Sequence, residues 1–436
     1  MNKHSIGWTL AMWVIWSTPA MADQTAELAA LKKELATLRA DYEHRIAALE
    51  KKIEETQRKA QSLEEASLEP STTTSAAANA FNPAIGLILN GQYASFSRPD
   101  QEEIPGFSLP EEAGKGDEGF SLGESELSLS TDIDDKFYGN LILSFSGEEG
   151  VEVEEAFIQT TALGHGLTIK GGRFLSGIGY LNERHAHADA FADRPLPYRA
   201  MLNTAYSDDG IQFRWLAPTD LYLNFGTEIL RGAHYPAGGG GHGGAGAHAI
   251  YAHAGSDVGI SNSWRAGLSY LNTDNADRES GDADLFTGDS DLWIADFVWK
   301  WAPNGDFSQR NLTLQGEYLY RREDGLFRPG GNPPLAYDAR QQGWYAQAVY
   351  QFMPQWRLGL RLSGLSANDP GPGFSGTALD PRGMDPWMAS VMIDWANSEF
   401  SRVRLQYNRD ESGLETDNAF ILQYIMSMGA HGAHAY

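Results

Sequence analysis

Two hydrophobic periods divide this chain. From Gln24 to about Ala66 the apolar positions Leu28, Leu31, Leu35, Leu38 and Tyr42 are spaced three and four apart. After a single four-residue step from Tyr42 to Ile46, the positions Leu49, Ile53, Thr56, Ala60 and Leu63 resume the alternation. The other faces carry Lys, Arg and Glu. This is a heptad seam with one stutter, and it predicts an α-helical coiled coil over residues 23–66. A stripe on so polar a helix is best buried by self-association. The small and hydroxylated stretch at 67–83 reads as a linker.

From Ala84 the period becomes two. The segment LYLNF sets Leu221, Leu223 and Phe225 against Tyr222 and Asn224, and IQFRW sets Ile211, Phe213 and Trp215 against Gln212 and Arg214. WRAGLSY, WIADFVWKW, WRLGLRL and RVRLQYNR repeat the scheme, each with one apolar and one polar face. Aromatic residues gather at the strand ends, beside the turns APTD, APNGD, MPQ and NSE. Dyads of about ten residues with aromatic ends, and short turns alternating with long Gly/Asp/Pro-rich loops, predict a transmembrane antiparallel β-barrel over residues 84–436. Counting dyads gives about sixteen strands, an even number as such barrels prefer. Long loops are expected near Arg98–Gly116, Ser176–Ser207, Arg231–Ala247, Asp274–Ser290, Asp324–Arg340 and Ala367–Asp385. A soluble two-sheet protein is the alternative, but it needs neither so many strands nor aromatic girdles.

The N-terminus sets the compartment. Lys3 and His4 precede the apolar run IGWTLAMWVIW, and STPAMA ends in a small-x-small pattern, so residues 1–22 read as a secretory signal cleaved after Ala22. The run is too short to span a bilayer as a helix, which needs about 20 residues. The chain has no cysteine, which excludes disulfides and thiolate chemistry. Its net charge of -25 argues against nucleic-acid binding.

Several stretches carry a family resemblance. EEAFIQTTALGHGLTIKGGRF is similar to the strand-turn-strand that precedes the third external loop of many porins. FNPAIGLILNGQYASFS, GFSLGESELSLS, RFLSGIGYLNERHAHADAF, RWLAPTD, WIADFVWKWAPNGD, YQFMPQWRLGLRL and FILQYIMSMGAHGAHAY together resemble a group of proteobacterial outer-membrane proteins. These place a short periplasmic coiled coil before the barrel and are described as porins or TonB-dependent receptors. The final strand and the terminal Tyr436 resemble the signal read by the barrel-assembly machinery. The resemblance implies a porin-like barrel in outer-membrane lipid, a homotrimer, and a loose association with zinc acquisition. A TonB-dependent transporter needs a plug and 22 strands, for which the rod and linker leave no room.

Sixteen strands imply a water-filled lumen. Its inward set is basic at Arg214, Arg265, Lys300, Arg357, Arg361, Arg402 and Arg404, and acidic at Glu124, Glu126, Glu228, Asp296, Glu317 and Asp394. Such charges either satisfy one another or set ion selectivity. NERHAHADAFADRPLPYRA, residues 182–200, falls in the third long-side connection, which in porins folds inward and narrows the pore. Glu183, His185, His187, Asp189 and Asp193 are therefore candidate constriction residues, with acids facing the basic wall and Pro195 and Pro197 stiffening the loop. The imidazoles of His185 and His187 are expected to titrate near pH 6.5. His185, His187, His234, His242, His248, His431 and His434 are candidate ligands for transient zinc capture, since imidazole with carboxylate suits that ion, although their spacing matches no structural site. No resident cofactor is expected. There is no Gly-x-Ser-x-Gly elbow or paired Ser and His, so an enzyme is not expected. The expected function is passive diffusion of small solutes or ions. The alternatives are an envelope tether, whose rod would reach roughly 60 Å at 1.5 Å per residue, and a metal-uptake receptor.

Overall fold

A computed structural model of the chain describes residues 83–429, apart from 111–112, 147–149, 240–243 and 282. The expected signal, coiled coil and linker, His242, His431 and His434 lie outside the described residues.

The described chain is a closed antiparallel sheet. Its segments are β1 (Ala84–Phe96), β2 (Gly119–Leu122), β3 (Ser125–Asp132), β4 (Phe137–Ser146), β5 (Gly150–Thr160), β6 (Leu167–Leu175), β7 (Ser207–Leu216), β8 (Tyr222–Leu230) and β9 (Ala247–Val258). They continue as β10 (Asn262–Ser280), β11 (Asp284–Trp301), β12 (Asn311–Arg328), β13 (Leu335–Met353), β14 (Trp356–Ala367), β15 (Trp387–Ser398), β16 (Ser401–Glu411) and β17 (Asp417–Gly429). From β3 onward each strand pairs with its sequence neighbour, and β17 closes the ring on β1. Both β2 and β3 pair with β1, so they are two segments of one interrupted strand. The result is the expected barrel of sixteen strands.

The alternation is physical as well as sequential. Leu268 is 68% exposed while its neighbours Gly267 and Ser269 are buried, and Ile211, Phe213 and Trp215 are exposed around a buried Gln212. Exposed Trp293, Trp344, Trp387 and Trp395 continue this apolar outer surface. Such a surface is stable against hydrocarbon rather than water, and the closed ring gives each of the sixteen described strands a neighbour on both sides.

Two expected external loops are strands instead. Asp274–Ser290 is the distal end of the β10–β11 hairpin, and most of Asp324–Arg340 belongs to β12 and β13. These extensions read as loops because both of their faces carry polar residues. Their inner side is nevertheless covered, since Phe286, Phe327 and Tyr337 pack with Phe374 and Leu379 of the 368–386 loop.

The lumen also departs from expectation. It is not a uniformly watery channel, because an apolar core fills part of it. Ile178, Leu181, Leu196, Tyr198, Met201, Leu202 and Tyr206 of the 176–206 connection pack on Ile294, Leu319, Tyr345 and Leu365 of the wall, together with Ile104 and Phe107 of the first long loop. Burial of each such side chain contributes roughly 1.5–3 kcal/mol. That offsets a backbone ordering cost of about 1–2 kcal/mol per residue.

Candidate functional site

The 176–206 connection is built to sit inside the barrel. Residues 186–188 form one 3-10 turn, and α1 (Leu196–Leu202) follows with every residue buried. Pro195 caps α1 and Pro197 lies in its first turn, where a missing N–H costs nothing. Asn203 ends the helix in the left-handed conformation. Gly179 is needed for a close approach: its φ is +68°, and a Cβ there would sit 2.6 Å from Glu317 Oε2 and 2.7 Å from the Tyr198 hydroxyl.

Inward-facing wall residues hold this loop from all sides. Glu228 on β8 accepts from Ser176 Oγ at 2.5 Å and Gly177 N at 2.9 Å. Glu317 on β12 accepts from Leu181 N at 2.8 Å, Tyr198 at 2.8 Å and Tyr345 at 2.6 Å. Burial and the adjacent Glu317 push the Tyr198 phenol well above its ordinary range, so it stays a neutral donor. On β16, Arg402 donates to the carbonyl of His187 and Arg404 to that of Asp189, each at 2.7 Å.

Of the loop acids, Asp193 and Glu183 meet wall bases, and Asp189 does not. Asp193 pairs with Arg361 on β14 and accepts from Gln406 and Asn408 at 2.7 Å. Burial would raise the Asp193 carboxyl, yet Arg361 and these donors hold it below its usual value. Glu183 pairs with Arg265 at 2.6 Å, although burial still pushes its carboxyl up. Asp189 pairs within the loop, with Arg194 at 2.7 Å, and is likewise raised by burial. Arg357 is taken by Asp394 on the neighbouring strand. Lys300 lines a cavity with Tyr180, Tyr222 and Arg265, and Arg214 lies on the inner face of β7.

His185 and His187 meet acids, not bases. Their rings stack at 5.8 Å between centroids. His185 Nδ1 lies 2.8 Å from Glu154 Oε1 and 3.8 Å from Glu126 Oε2, and its Nε2 lies 3.4 Å from Glu155 Oε2. His187 Nδ1 lies 2.5 Å from Glu126 Oε1. Burial alone would lower the His185 imidazole, but Glu154, Glu155 and Glu126 outweigh it and hold it well above its ordinary value. It does not titrate near pH 6.5 as its sequence suggests.

Glu154 and Glu155 were not legible as functional residues. Simple alternation allows only one of two consecutive residues to face inward. The β4–β5 ladder breaks that rule: Ile142 pairs with Glu155 and Leu143 with Val153, leaving Glu154 as the extra residue of a β-bulge. A bulge re-aims side chains, and here both carboxylates reach His185. The VEVEE repeat was the available signal, without the register to interpret it.

The other candidate ligands scatter. His248 is exposed on β9, among strand residues rather than in a loop. His234 lines a cavity of about 320 Å³ together with Glu124, Glu152, Glu154, Arg184 and Arg194. That cavity and another of about 330 Å³ beside β1, β16 and β17 share Glu124, Ala186, Arg194 and Thr204. Open space thus lies against the β1–β5 side, beside carboxylates and arginines, and in a cavity of about 480 Å³ with Arg265 and Lys300 at β8–β11, while apolar residues pack the loop on β11–β14.

An unbroken barrel with an apolar outer face and a third long connection docked inside it is the arrangement of a porin-like outer-membrane barrel. Among solved structures, a loop L8 deletion mutant of OmpT, an outer membrane protein of Vibrio cholerae, superposes with a TM-score of 0.51 at 10% identity, covering 80% of this chain and 99% of that one. OmpF of Salmonella typhi, in complex with daunomycin, gives 0.50 at 12% identity over the same shares of the two chains. No family model matches the sequence. A protein of Aquifex aeolicus (strain VF5), described only as uncharacterized, is 31% identical over 392 residues, covering 82% of this chain and 80% of its own. The chain belongs to the same family as that Aquifex protein.

Proposed function

We propose that this protein is an outer-membrane channel for passive diffusion of small hydrophilic solutes or ions, narrowed by the 176–206 loop and preferring cations. The observation that carries this reading is the attachment of one loop to inward-facing residues of β3, β5, β8, β10, β12, β14 and β16. A loop tied to walls on every side reduces the aperture without closing the barrel. The remaining space runs beside Glu124, Glu152 and Glu154 and also beside Arg173, Arg184 and Arg194, of which Arg173 is paired with Asp209 and Arg194 with Asp189. Several wall arginines are occupied: Arg361, Arg402 and Arg404 by the loop, and Arg357 by Asp394. Low-dielectric walls focus the field of the carboxylates on passing ions.

The test is reconstitution of the folded chain into planar bilayers under a potassium chloride gradient. Discrete conductance steps with a cation-selective reversal potential are expected. Glu152→Gln should move the reversal potential toward zero. A folded, inserted barrel without conductance steps would overturn the channel reading and leave the envelope tether.

A further inference from the structure

We propose that His185 and His187, with Glu126 and Glu154, form a site for a first-row divalent metal ion of the zinc type, one that staples the inward loop to the barrel wall. The inference deepens the channel reading above by assigning a ligand and a regulation to the same seam.

The donor geometry comes first. Single ligand atoms of Glu126, Glu154 and His185 all lie within 4.8 Å of one another. His187 lies outside that set of three; its Nδ1 is 2.5 Å from Glu126 Oε1, so its ring joins the shell by turning about that carboxylate toward the other donors. A tetrahedral zinc shell with bonds of about 2.0–2.1 Å places its donors roughly 3.3 Å apart. Within the set of three, the separations of 2.8 and 3.8 Å bracket that figure, and a larger turn of the His187 ring supplies the fourth donor.

The chemistry comes next. Imidazole combined with carboxylate selects zinc-like ions, whereas calcium and magnesium take oxygen donors. The cluster also carries an excess of acid. Glu124 lies against Glu154, and Glu155 lies 3.4 Å from His185. Glu124 and Glu154 share a proton in their mutual hydrogen bond, and even with both imidazoles protonated the three remaining carboxylate charges outnumber two cations. A divalent ion corrects that imbalance without needing either ring charged.

The supporting frame is rigid and the site is reachable. Arg402 fixes the loop backbone at His187 by its carbonyl. Glu126 sits on β3, and the bulge of β5 presents Glu154 with Glu155 beside it. Glu154 and Ala186 line the cavity of about 320 Å³ described above, which gives an ion a route in. Because the ligands come from the loop and from two wall strands, occupancy holds the loop against β3 and β5 and narrows the acid-lined passage.

The experiment uses the full chain, folded in detergent and stripped with chelator. Cobalt(II) is titrated as a spectroscopic probe, with zinc as competitor. One saturable equivalent is expected, with visible absorption typical of nitrogen-ligated cobalt, displaced by zinc but not by equimolar calcium. Changing the outer partners of metal ligands alone costs about 10–100-fold in affinity, so His185→Ala with His187→Ala should lose more than that. Glu154→Gln, a milder change, should weaken binding by about tenfold while heat-modifiable gel mobility confirms folding. Unaltered binding in the folded double variant or in Glu154→Gln, no saturable binding, or equal displacement by calcium would each overturn the site. Bilayer conductance is then recorded with and without micromolar zinc. Stoichiometric binding with a zinc-dependent fall in conductance supports both site and staple. Binding with unchanged conductance steps overturns the staple alone. Binding by a barrel that never conducts overturns the channel reading and leaves the metal site standing.

Discussion

At the scale of single residues, the loop is held by buried charges whose partners are specific. Asp193 shows what this implies. Its partner Arg361 is 2% exposed, so removing the carboxylate charge strands a buried guanidinium. Breaking a buried pair in this way costs about 3–5 kcal/mol, and the Asp193 side chain, 24% exposed, places the loss near the lower end. Asp193→Asn should therefore loosen the loop and produce flickering conductance where the parent is steady. The pH dependence has a definite sign. A carboxyl held below its unfolded value of about 3.9 contributes stability that is complete above that value and is lost as pH falls through the lower folded one. The raised carboxyls of Glu183 and Asp189 take up protons first as pH falls, so the Asp193 anchor should be the last acid step, given up only below about 3.9, and Asp193→Asn should lack that last step. Neutralising Asp189 should alter selectivity less than the sequence suggests, because Arg194 already compensates it.

At the scale of elements, the bulge in β5 and the docked loop act together. Deleting Glu154 restores regular pairing with β4 and removes one of the two carboxylates that reach His185. Such a variant keeps the barrel but loses loop anchorage at β5. Deleting residues 184–194 should go further and raise single-channel conductance several-fold, since this span supplies the contacts to Glu126, Glu154, Arg361, Arg402 and Arg404. Unchanged conductance after that deletion would mean that the passage runs elsewhere. Pro195 and Pro197 could be read as stiffeners from the sequence alone. That they frame a helix whose every residue is buried could not, because LPYRAML has no external signal of the apolar wall it meets.

At the scale of the whole molecule, the barrel is sufficient in itself. The pairing runs without a gap from β3 round to β17 and β1. Removing residues 23–66 should therefore leave a β-rich protein whose gel mobility still shifts on boiling. By the heptad reading, the same truncation should reduce the oligomer to a smaller species in sedimentation. If the truncated and full chains sediment as the same oligomer, the rod is not the associating element.

What the sequence determined by itself is whatever depends on near neighbours along the chain. Side chains of a strand alternate because of backbone geometry alone. One lipid-facing set and one lumen-facing set therefore leave a readable mark, and strand number follows from counting those marks. The tertiary structure decided which groups meet. Barrel closure brings Glu126, Glu154 and His187 together from positions 28 to 61 residues apart, and seats Asp193 against residues more than 160 positions away. No local pattern encodes such a meeting. The shift of phase at Glu154, the continuation of β10 to β13 into stretches polar on both faces, and the apolar packing inside the lumen are all set by long-range register and by the space that remains once the ring is closed.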